Sequence, residues 1–330
     1  MGISQSRRSL SSAAVVALAT CAVAAGASPA TAAETGGRPG GGAKPTVVLV
    51  HGAFADASGW NDVAARLMDD GYTVLAPPNE LRGLTEDAAY VASVLKSISG
   101  PIVLAGHSYG GAVITQAAAG NPNVKALVYV SAFAPDVGES PAELSTKFAG
   151  SDLGTALNPV LFAGSGGGGV DLYIQTEKFR AVFAADLPES RTRLMAAEQR
   201  PVSQVGFAQK ATAAAWRDIP SWFVVSRQDR AIAPDLERFE SRRAKSRTVE
   251  IDSSHVSMMS HPDVVVRQIR EAAGAIGDGA AGAIGAGAAP AELAATGSHG
   301  QALAAVGAVG AAALVSGSVL TRIARRRATR

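Results

Sequence analysis

Gly106-His107-Ser108-Tyr109-Gly110 sets a hydroxyl between two glycines, directly after the apolar run Pro101–Ala105 and directly before the alanine-rich stretch Gly111–Ala119. A short apolar run, a Gly-x-Ser-x-Gly turn and a helical stretch make a strand–turn–helix with serine at its apex, the strained elbow that lifts a nucleophile clear of a sheet. The flanking glycines are required because a Cβ there would meet the neighbouring strand and helix. With 36 glycines in the chain the five-residue pattern alone could arise by chance, so the strand before and the helix after supply its specificity. A serine so placed points to covalent nucleophilic catalysis. That chemistry needs a base, a group that orients the base, and backbone N–H donors for the oxyanion formed on attack.

The donors are expected from the residue after the nucleophile and from a loop after an early strand. Tyr109 N–H is the first. Pro45–Val50 has the β-branched, apolar character of a buried strand and ends in His51-Gly52-Ala53-Phe54, which makes Ala53 N–H the second. His51 precedes the elbow and is assigned to support of this loop. Downstream, Ile219–Ser226 and Arg247–Ile251 are strand candidates, followed by Arg227-Gln228-Asp229 and by Asp252-Ser253-Ser254-His255. Both fall on loops beyond the carboxyl ends of strands, where sites of parallel sheets collect. The order serine, acid, histidine gives Asp229 as the residue that fixes the imidazole and His255 as the base. Asp136, after the strand Ala126–Val130, and Asp252, close to His255, compete for the role of acid. Of the other histidines, His107 lies inside the elbow, His261 precedes Pro262 at the start of a last helix (Asp263–Ala273), and His299 belongs to a tail.

Val48-Leu49-Val50-His51-Gly52-Ala53, Gly106-His107-Ser108-Tyr109-Gly110-Gly111, Ser131-Ala132-Phe133-Ala134-Pro135-Asp136 and the Asp229/His255 pair together resemble the α/β-hydrolase superfamily. The branch they resemble holds plant methylesterases, hydroxynitrile lyases and related bacterial esterases. The resemblance covers roughly Lys44 to Ala273 and is weak between Ala134 and Arg217, where members carry a variable cap. It implies Ser108 as nucleophile, Asp229 as acid, His255 as base, and Ala53 and Tyr109 as oxyanion donors. The lyases of this branch have a lysine after the catalytic histidine and a threonine after the early strand; here Val256 follows His255, and Ala53-Phe54 follow Gly52. Without that cation, cyanide release loses its support.

The elements needed to hold these residues fit one α/β domain of roughly 230 residues. Apolar strands alternate with helical patterns at Trp60–Asp69, Leu84–Ser97 and Gly111–Ala119, which predicts a mainly parallel sheet flanked by helices, with an inserted, mostly helical cap at about 134–217. Gly164–Gly169 reads as a hinge or surface loop, with no phosphate-loop lysine. Phe179, Val182, Phe183 and Leu187 have helical spacing and are assigned to the cap core, with contact to the substrate pocket as the alternative. The arginines between Arg238 and Arg247 alternate with Glu237, Glu240 and Glu250, a pattern of a solvated helix face.

The two ends concern location. Residues 1–33 carry Arg7-Arg8, an apolar Ala13–Ala25 segment and a small-residue close at Ala30–Ala33, the layout of an export signal, with twin-arginine export and lipidation at Cys21 as variants. Cys21 is the only cysteine, so a processed chain has no thiol chemistry. Residues 34–43 form a short linker and 274–292 an Ala/Gly-rich spacer. Residues 293–330 begin with Leu293-Ala294-Ala295-Thr296-Gly297 and continue through the uncharged run Ala302–Leu320, just long enough for a bilayer core of about 30 Å, into an arginine-rich tail. This sequence of parts resembles the signal read by sortases of Gram-positive bacteria. It implies cleavage between Thr296 and Gly297 and transfer to peptidoglycan, with a plain membrane anchor as the alternative.

The formal charge of +2 includes Arg7, Arg8, Arg322, Arg325, Arg326, Arg327 and Arg330. Without the two ends the balance turns acidic, which removes the electrostatic case for nucleic-acid binding. No metal cluster or dinucleotide fingerprint stands out, and a serine triad needs no cofactor. The chain is therefore expected to be an exported serine hydrolase of small carboxylic esters. Perhydrolase or hydroxynitrile-lyase chemistry, and a non-catalytic surface binding module on the same fold, are the alternatives.

Overall fold

Six short runs of aliphatic and β-branched residues line up side by side in one parallel sheet, in the order Val74–Leu75, Thr46–Val50, Ile102–His107, Val124–Val130, Ser221–Ser226 and Arg247–Ile251. The structure is a computed structural model and describes residues 44–163 and 167–285. The proposed export signal (1–33), the linker 34–43, Thr296, Gly297 and the run 302–320 lie outside the described residues. Contacts separate a unit ending at Ala281 from one beginning at Gly282. Among the described residues no helix is long and apolar enough to cross a membrane.

The chain enters through β1 (Thr46–Val50), α1 (Asn61–Asp69), β2 (Val74–Leu75) and α2 (Leu84–Lys96). It then forms the centre of the sheet with β3 (Ile102–His107), α3 (Tyr109–Ala117) and β4 (Val124–Val130). An insertion follows: α4 (Pro141–Ser145), α5 (Leu153–Ala156), β5 (Leu157–Phe162), β6 (Gly169–Ile174), α6 (Thr176–Phe183), α7 (Glu189–Glu198), β7 (Val202–Ser203) and α8 (Gln204–Ala208). The sheet is completed by β8 (Ser221–Ser226), α9 (Pro234–Arg243), β9 (Arg247–Ile251), α10 (Ser257–Ser260) and α11 (Pro262–Gly285). Every residue of β3 is buried, the pattern of a strand covered on both faces by crossover helices.

Register fixes where the loops emerge. Val50 pairs with Gly106, His107 with Val130, Val130 with Val224, and Ser226 with Ile251. The residues that follow these strands, His51, Ser108, Ser131, Arg227 and Asp252, therefore leave the sheet along a single edge. This edge can be crowded only because of its glycines. A Cβ on Gly110 would come within 2.5 Å of Val50 O, and one on Gly106 within 2.6 Å of Gly110 O, both backbone atoms with no room to yield.

The insertion is mostly helical but also carries a small antiparallel sheet, β5-β6-β7, paired from Leu157 with Ile174 to Phe162 with Gly169. Pro159 obscures this strand in the sequence; a proline is tolerated there because β5 is an edge strand. The glycine-rich run lies in the connection of this hairpin, its residues 164–166 outside the described ones. Phe179, Val182 and Phe183 are buried, as assigned.

Two expectations need correction. Glu237 and Glu240 do not sit on a solvated face: with Leu236 and Ser241 they form the side of α9 turned to the sheet, and both are fully buried. Helical geometry puts positions 236, 237, 240 and 241 on one side, and charge alternation alone conceals that period. Only the other side, where Arg238 pairs with Asp235 and Glu250, is solvated. The last helix, expected to stop at Ala273, continues to Gly285, into the stretch assigned to a flexible spacer. Alanine is the strongest helix former, and Ala275 and Ile276 still pack against the core.

Gly110→Ala is expected to lower stability by about 1–3 kcal/mol through forced backbone movement. Gly274→Ala, with nothing within 4 Å of the added methyl group, should raise it by about 0.5–1 kcal/mol. Urea denaturation midpoints of the two variants check both signs.

Candidate active site

The turn at the end of β3 forces Ser108 into positive φ (φ 55°, ψ −126°), a conformation costing about 1–3 kcal/mol for a residue with a side chain. Ser108 is 6% exposed, so the hydroxyl is nearly enclosed. Gly52 lies against it: a Cβ there would stand 2.6 Å from Ser108 Cβ and 3.2 Å from its Oγ. The loop after β1 thus runs directly beside the elbow.

Two N–H groups at this point lack partners among the described residues. Ala53 N–H makes no hydrogen bond, while its neighbour Phe54 N–H is committed to Arg200 O at 2.8 Å. Tyr109 N–H opens α3, where no preceding turn supplies a carbonyl. Tyr109 itself is anchored from below, its hydroxyl donating to Asp87 Oδ2 at 2.9 Å, with burial and that carboxylate pushing the phenol well above its usual range. His51 braces the loop as assigned. Its Nε2 accepts from Asn79 N–H at 2.9 Å and its Nδ1–H donates to Gly52 O at 2.9 Å. Burial, more than any other effect, holds its pKa below the ordinary value, so the ring is a neutral strut.

Across the elbow, His255 Nδ1–H donates to Asp229 Oδ2 at 2.6 Å, and both residues are buried. Asp229 Oδ1 accepts from Ala231 N–H at 2.7 Å and from Ile232 N–H at 2.8 Å, which fixes the carboxylate plane. With Nδ1 engaged, the tautomer leaves Nε2 as the ring's free base. Ser108 Oγ makes no hydrogen bond to this imidazole in the present conformation. His107 buttresses the ring from the side: the two centroids are 4.7 Å apart, and His107 Nε2–H donates to His255 O at 2.9 Å. Burial drives the His107 pKa well below its usual value, so no second charge competes beside His255. Phe183 packs against the same ring at 5.0 Å between centroids and meets His107 edge-on at 6.2 Å. Assigned to the cap core, it also walls the site.

The rival acids lie elsewhere. Asp136 is held by Arg217 Nη2 at 2.6 and 2.7 Å, and Asp252 by Arg227 at 2.7 Å on the surface. Val256, in the position after the histidine, is fully buried. A small cavity of about 40 Å³ lies beside the Ala53 loop between Phe54, Gly59, Met195 and Met259. Two larger clefts sit around Gly120–Asn123, after α3 and before β4, at the far end of the strands.

One residue of this site carried no sequence signal. Asp186, between α6 and α7 of the insertion, accepts from Ser254 N–H at 2.9 Å, from Ser253 Oγ–H at 3.1 Å and from Ser254 Oγ–H. It ties the insertion to the loop that presents His255. Half-burial works to raise the Asp186 carboxyl, but hydrogen bonds from Ser254, Ser260 and Ser253 outweigh it and hold the group below the ordinary carboxylate range. A lowered carboxylate pKa stabilises the fold above the unfolded value and ceases to do so as the pH falls through the folded one. Asp186→Asn should therefore cost about 1–2 kcal/mol near neutrality, and the gap to the parent should close as the pH drops below about 3.9. Thermal melts of both proteins across that range test this.

Comparison with known proteins agrees with this architecture. Residues 47–268 match the model of the alpha/beta hydrolase family. A carbendazim hydrolyzing esterase of Nocardioides is 33% identical over 133 residues, 34% of this chain and 55% of that protein, so the chain spans about half the length of this relative. Methylesterase 2 of Arabidopsis thaliana is 25% identical over 248 residues, 67% of this chain and 93% of the relative. Among solved structures, polyneuridine aldehyde esterase superposes with a TM-score of 0.61 at 19% identity, over 69% of this chain and 99% of its own. A parallel six-stranded sheet, a serine elbow at its centre and a match over most of the folded residues make this chain an enzyme of the α/β-hydrolase family.

Proposed function

We propose that the protein hydrolyses small carboxylic esters through a Ser108–His255–Asp229 triad and an acyl-enzyme. The observation that carries the reading is the buried 2.6 Å hydrogen bond between Asp229 and His255, set beside a strained serine elbow. Relatives named as esterases add to it. Ser108 Oγ attacks the ester carbonyl carbon while His255 Nε2 takes its proton, and the oxyanion is met by the N–H groups of Ala53 and Tyr109. Collapse releases the alcohol, protonated by His255. Water, activated by the same imidazole, then frees the acid and restores Ser108. The serine–histidine hydrogen bond is one that forms with substrate in place, since such contacts are commonly loose in an empty site. Val256 offers no cation for an anionic leaving group, which turns the reading away from hydroxynitrile cleavage. Phe54, Phe183 and Met195 around the loop favour a compact apolar acyl or alcohol group.

The proposal extends to place. The export-type start, Leu293–Gly297, the apolar run 302–320 and the arginine tail support delivery across the membrane and sortase-type transfer to peptidoglycan after Thr296. The triad chemistry itself requires no cofactor.

Ser108→Ala should lower hydrolysis of p-nitrophenyl and methyl esters by about 10⁴-fold or more. It should also abolish labelling by a fluorophosphonate probe. Near-parental turnover would defeat the triad, and a parent protein that neither labels nor turns over would leave a binding module. Asp229→Asn should cost about 10³–10⁴ in kcat, with Asp136→Asn close to the parent; the reverse result moves the acid to Asp136. For location, the mature protein should stay with the peptidoglycan fraction after hot-detergent extraction, and substitution of Thr296 or Gly297 should release it. Full-length protein extracted by detergent alone would establish a membrane anchor instead.

A further inference from the structure

Asp229 can accept about four hydrogen bonds, two at each oxygen, and three of its donors are accounted for: the N–H groups of Ala231 and Ile232 and the imidazole of His255. Glu237, on the inner side of α9, meets the Asp229 loop at one residue: Asp229 N–H donates to Ser226 O at 3.1 Å, and Ser226 N–H donates to Glu237 Oε2 at 2.9 Å, which brings the Glu237 carboxyl to the side of the Asp229 carboxylate. Glu237 is fully buried. Its Oε2 accepts from Ser226 N–H at 2.9 Å, its Oε1 has no partner, and no salt bridge reaches it among the described residues. Two ionised carboxylates cannot share so small a buried space, so one of them holds a proton. The distribution of donors decides which. Asp229 has two backbone N–H groups and an imidazole to stabilise its charge, and Glu237 has a single N–H.

We propose that Glu237 is a positioning residue, neutral in the folded protein, whose carboxyl O–H donates the fourth hydrogen bond to Asp229 and so holds that carboxylate in line with His255. The inference rests on the reading of Asp229 and His255 as the working acid–base pair. The surroundings agree with a neutral Glu237. Burial pushes its carboxyl well above the ordinary range, and the negative charge of Asp229 adds to this. Glu240, one turn further along the same helix, is raised to about 8 by burial, against the pull of Arg243 Nη2 at 3.8 Å from its Oε1. The groups that bear on Glu237 are thus Asp229 from the loop after β8, Ser226 N–H from β8 itself and Glu240 from its own helix. A glutamic acid kept neutral supplies a proton donor where glutamate would supply only repulsion.

The test compares the parent with Glu237→Gln, which keeps a donor without a titratable proton, and Glu237→Leu, which removes it. Three readouts apply: the downfield Nδ1–H proton resonance of His255, kcat and KM for a p-nitrophenyl ester, and thermal stability against pH. The Gln variant is expected to keep the resonance, with kcat within about threefold of the parent. The Leu variant should lose kcat by about tenfold or more, the scale of one hydrogen bond to a charged group, with KM little changed and the resonance displaced or broadened. A Gln variant that behaves like Leu, or a folded Leu variant that behaves like the parent, overturns the proposal.

Stability decides the matter even where Leu fails to fold. Unfolded, Glu237 ionises near 4.3, whereas in the folded protein it stays protonated. Its contribution is therefore complete below that pH and is lost as the pH rises. The melting temperature of the Gln variant should gain on the parent steadily from pH 4 to pH 8, and a constant difference means that Glu237 is ionised. The resonance and the pH slope need no turnover. An inactive parent unreactive to fluorophosphonate would fail the esterase reading alone, with the Glu237–Asp229 contact still decided by those two measurements.

Discussion

Everything at the carboxyl edge of the sheet depends on how closely main chains approach one another around Ser108. Gly110 brings α3 against the carbonyl of Val50, Gly106 lets β3 turn beneath that helix, and Gly52 lays the next loop against the serine itself. An added methyl group at any of these points meets atoms under 3 Å away. The strain stored at Ser108 is held by this packing: a residue with φ near 55° would relax unless strand, helix and loop over-determined it. Placement of the hydroxyl and of the two free N–H groups is thus one event. The same three glycines that set the Ser108 turn also let the Ala53 loop and the start of α3 pack beside it.

A second theme is the suppression of charge. His51 and His107 are both neutral, each with its tautomer fixed by a main-chain contact. Burial raises the Glu240 carboxyl to about 8, against the pull of Arg243 at 3.8 Å. Beneath the edge, the hydroxyls of Ser131, Ser226 and Ser257 satisfy one another at 2.8 Å. Apart from the Asp186 carboxylate held by Ser253 and Ser254, these groups present dipoles rather than ions to the Asp229–His255 pair. In a poorly solvated site, stray full charges would act over long distances, so a quiet surrounding leaves the local pair in control of the imidazole.

The fold was largely legible because its signals are short-range and redundant. Gly106–Gly110 is framed by a buried strand and a helix. Asp229 and His255 each follow a strand whose neighbours are set by register, and the structure brings these two into contact while Asp136 goes to Arg217. Other features lack any local code. Asp186 reaches Ser254 across 68 positions of sequence, and an aspartate between two helices carries no mark of that destination. Glu237 and Glu240 were concealed by their own charge, since alternation with arginine mimics a solvated helix until burial is known. In β5 the proline at position 159 masked an edge strand. At α11 the composition that suggests a loose tether also contains the best helix former.

The Asp186 contact alters how separable the insertion is. A segment that varies in length and composition, set between β4 and β8, invites the view that it can be exchanged to change substrate preference while the sheet supplies the chemistry. Here the insertion also supplies acceptors for Ser253 and Ser254, immediately ahead of the histidine. Grafting a foreign lid between Ala134 and Arg217 would remove those acceptors along with the old pocket. A chimera could then fail through a displaced imidazole even though its new pocket were well formed. Modularity in this enzyme ends at one carboxylate.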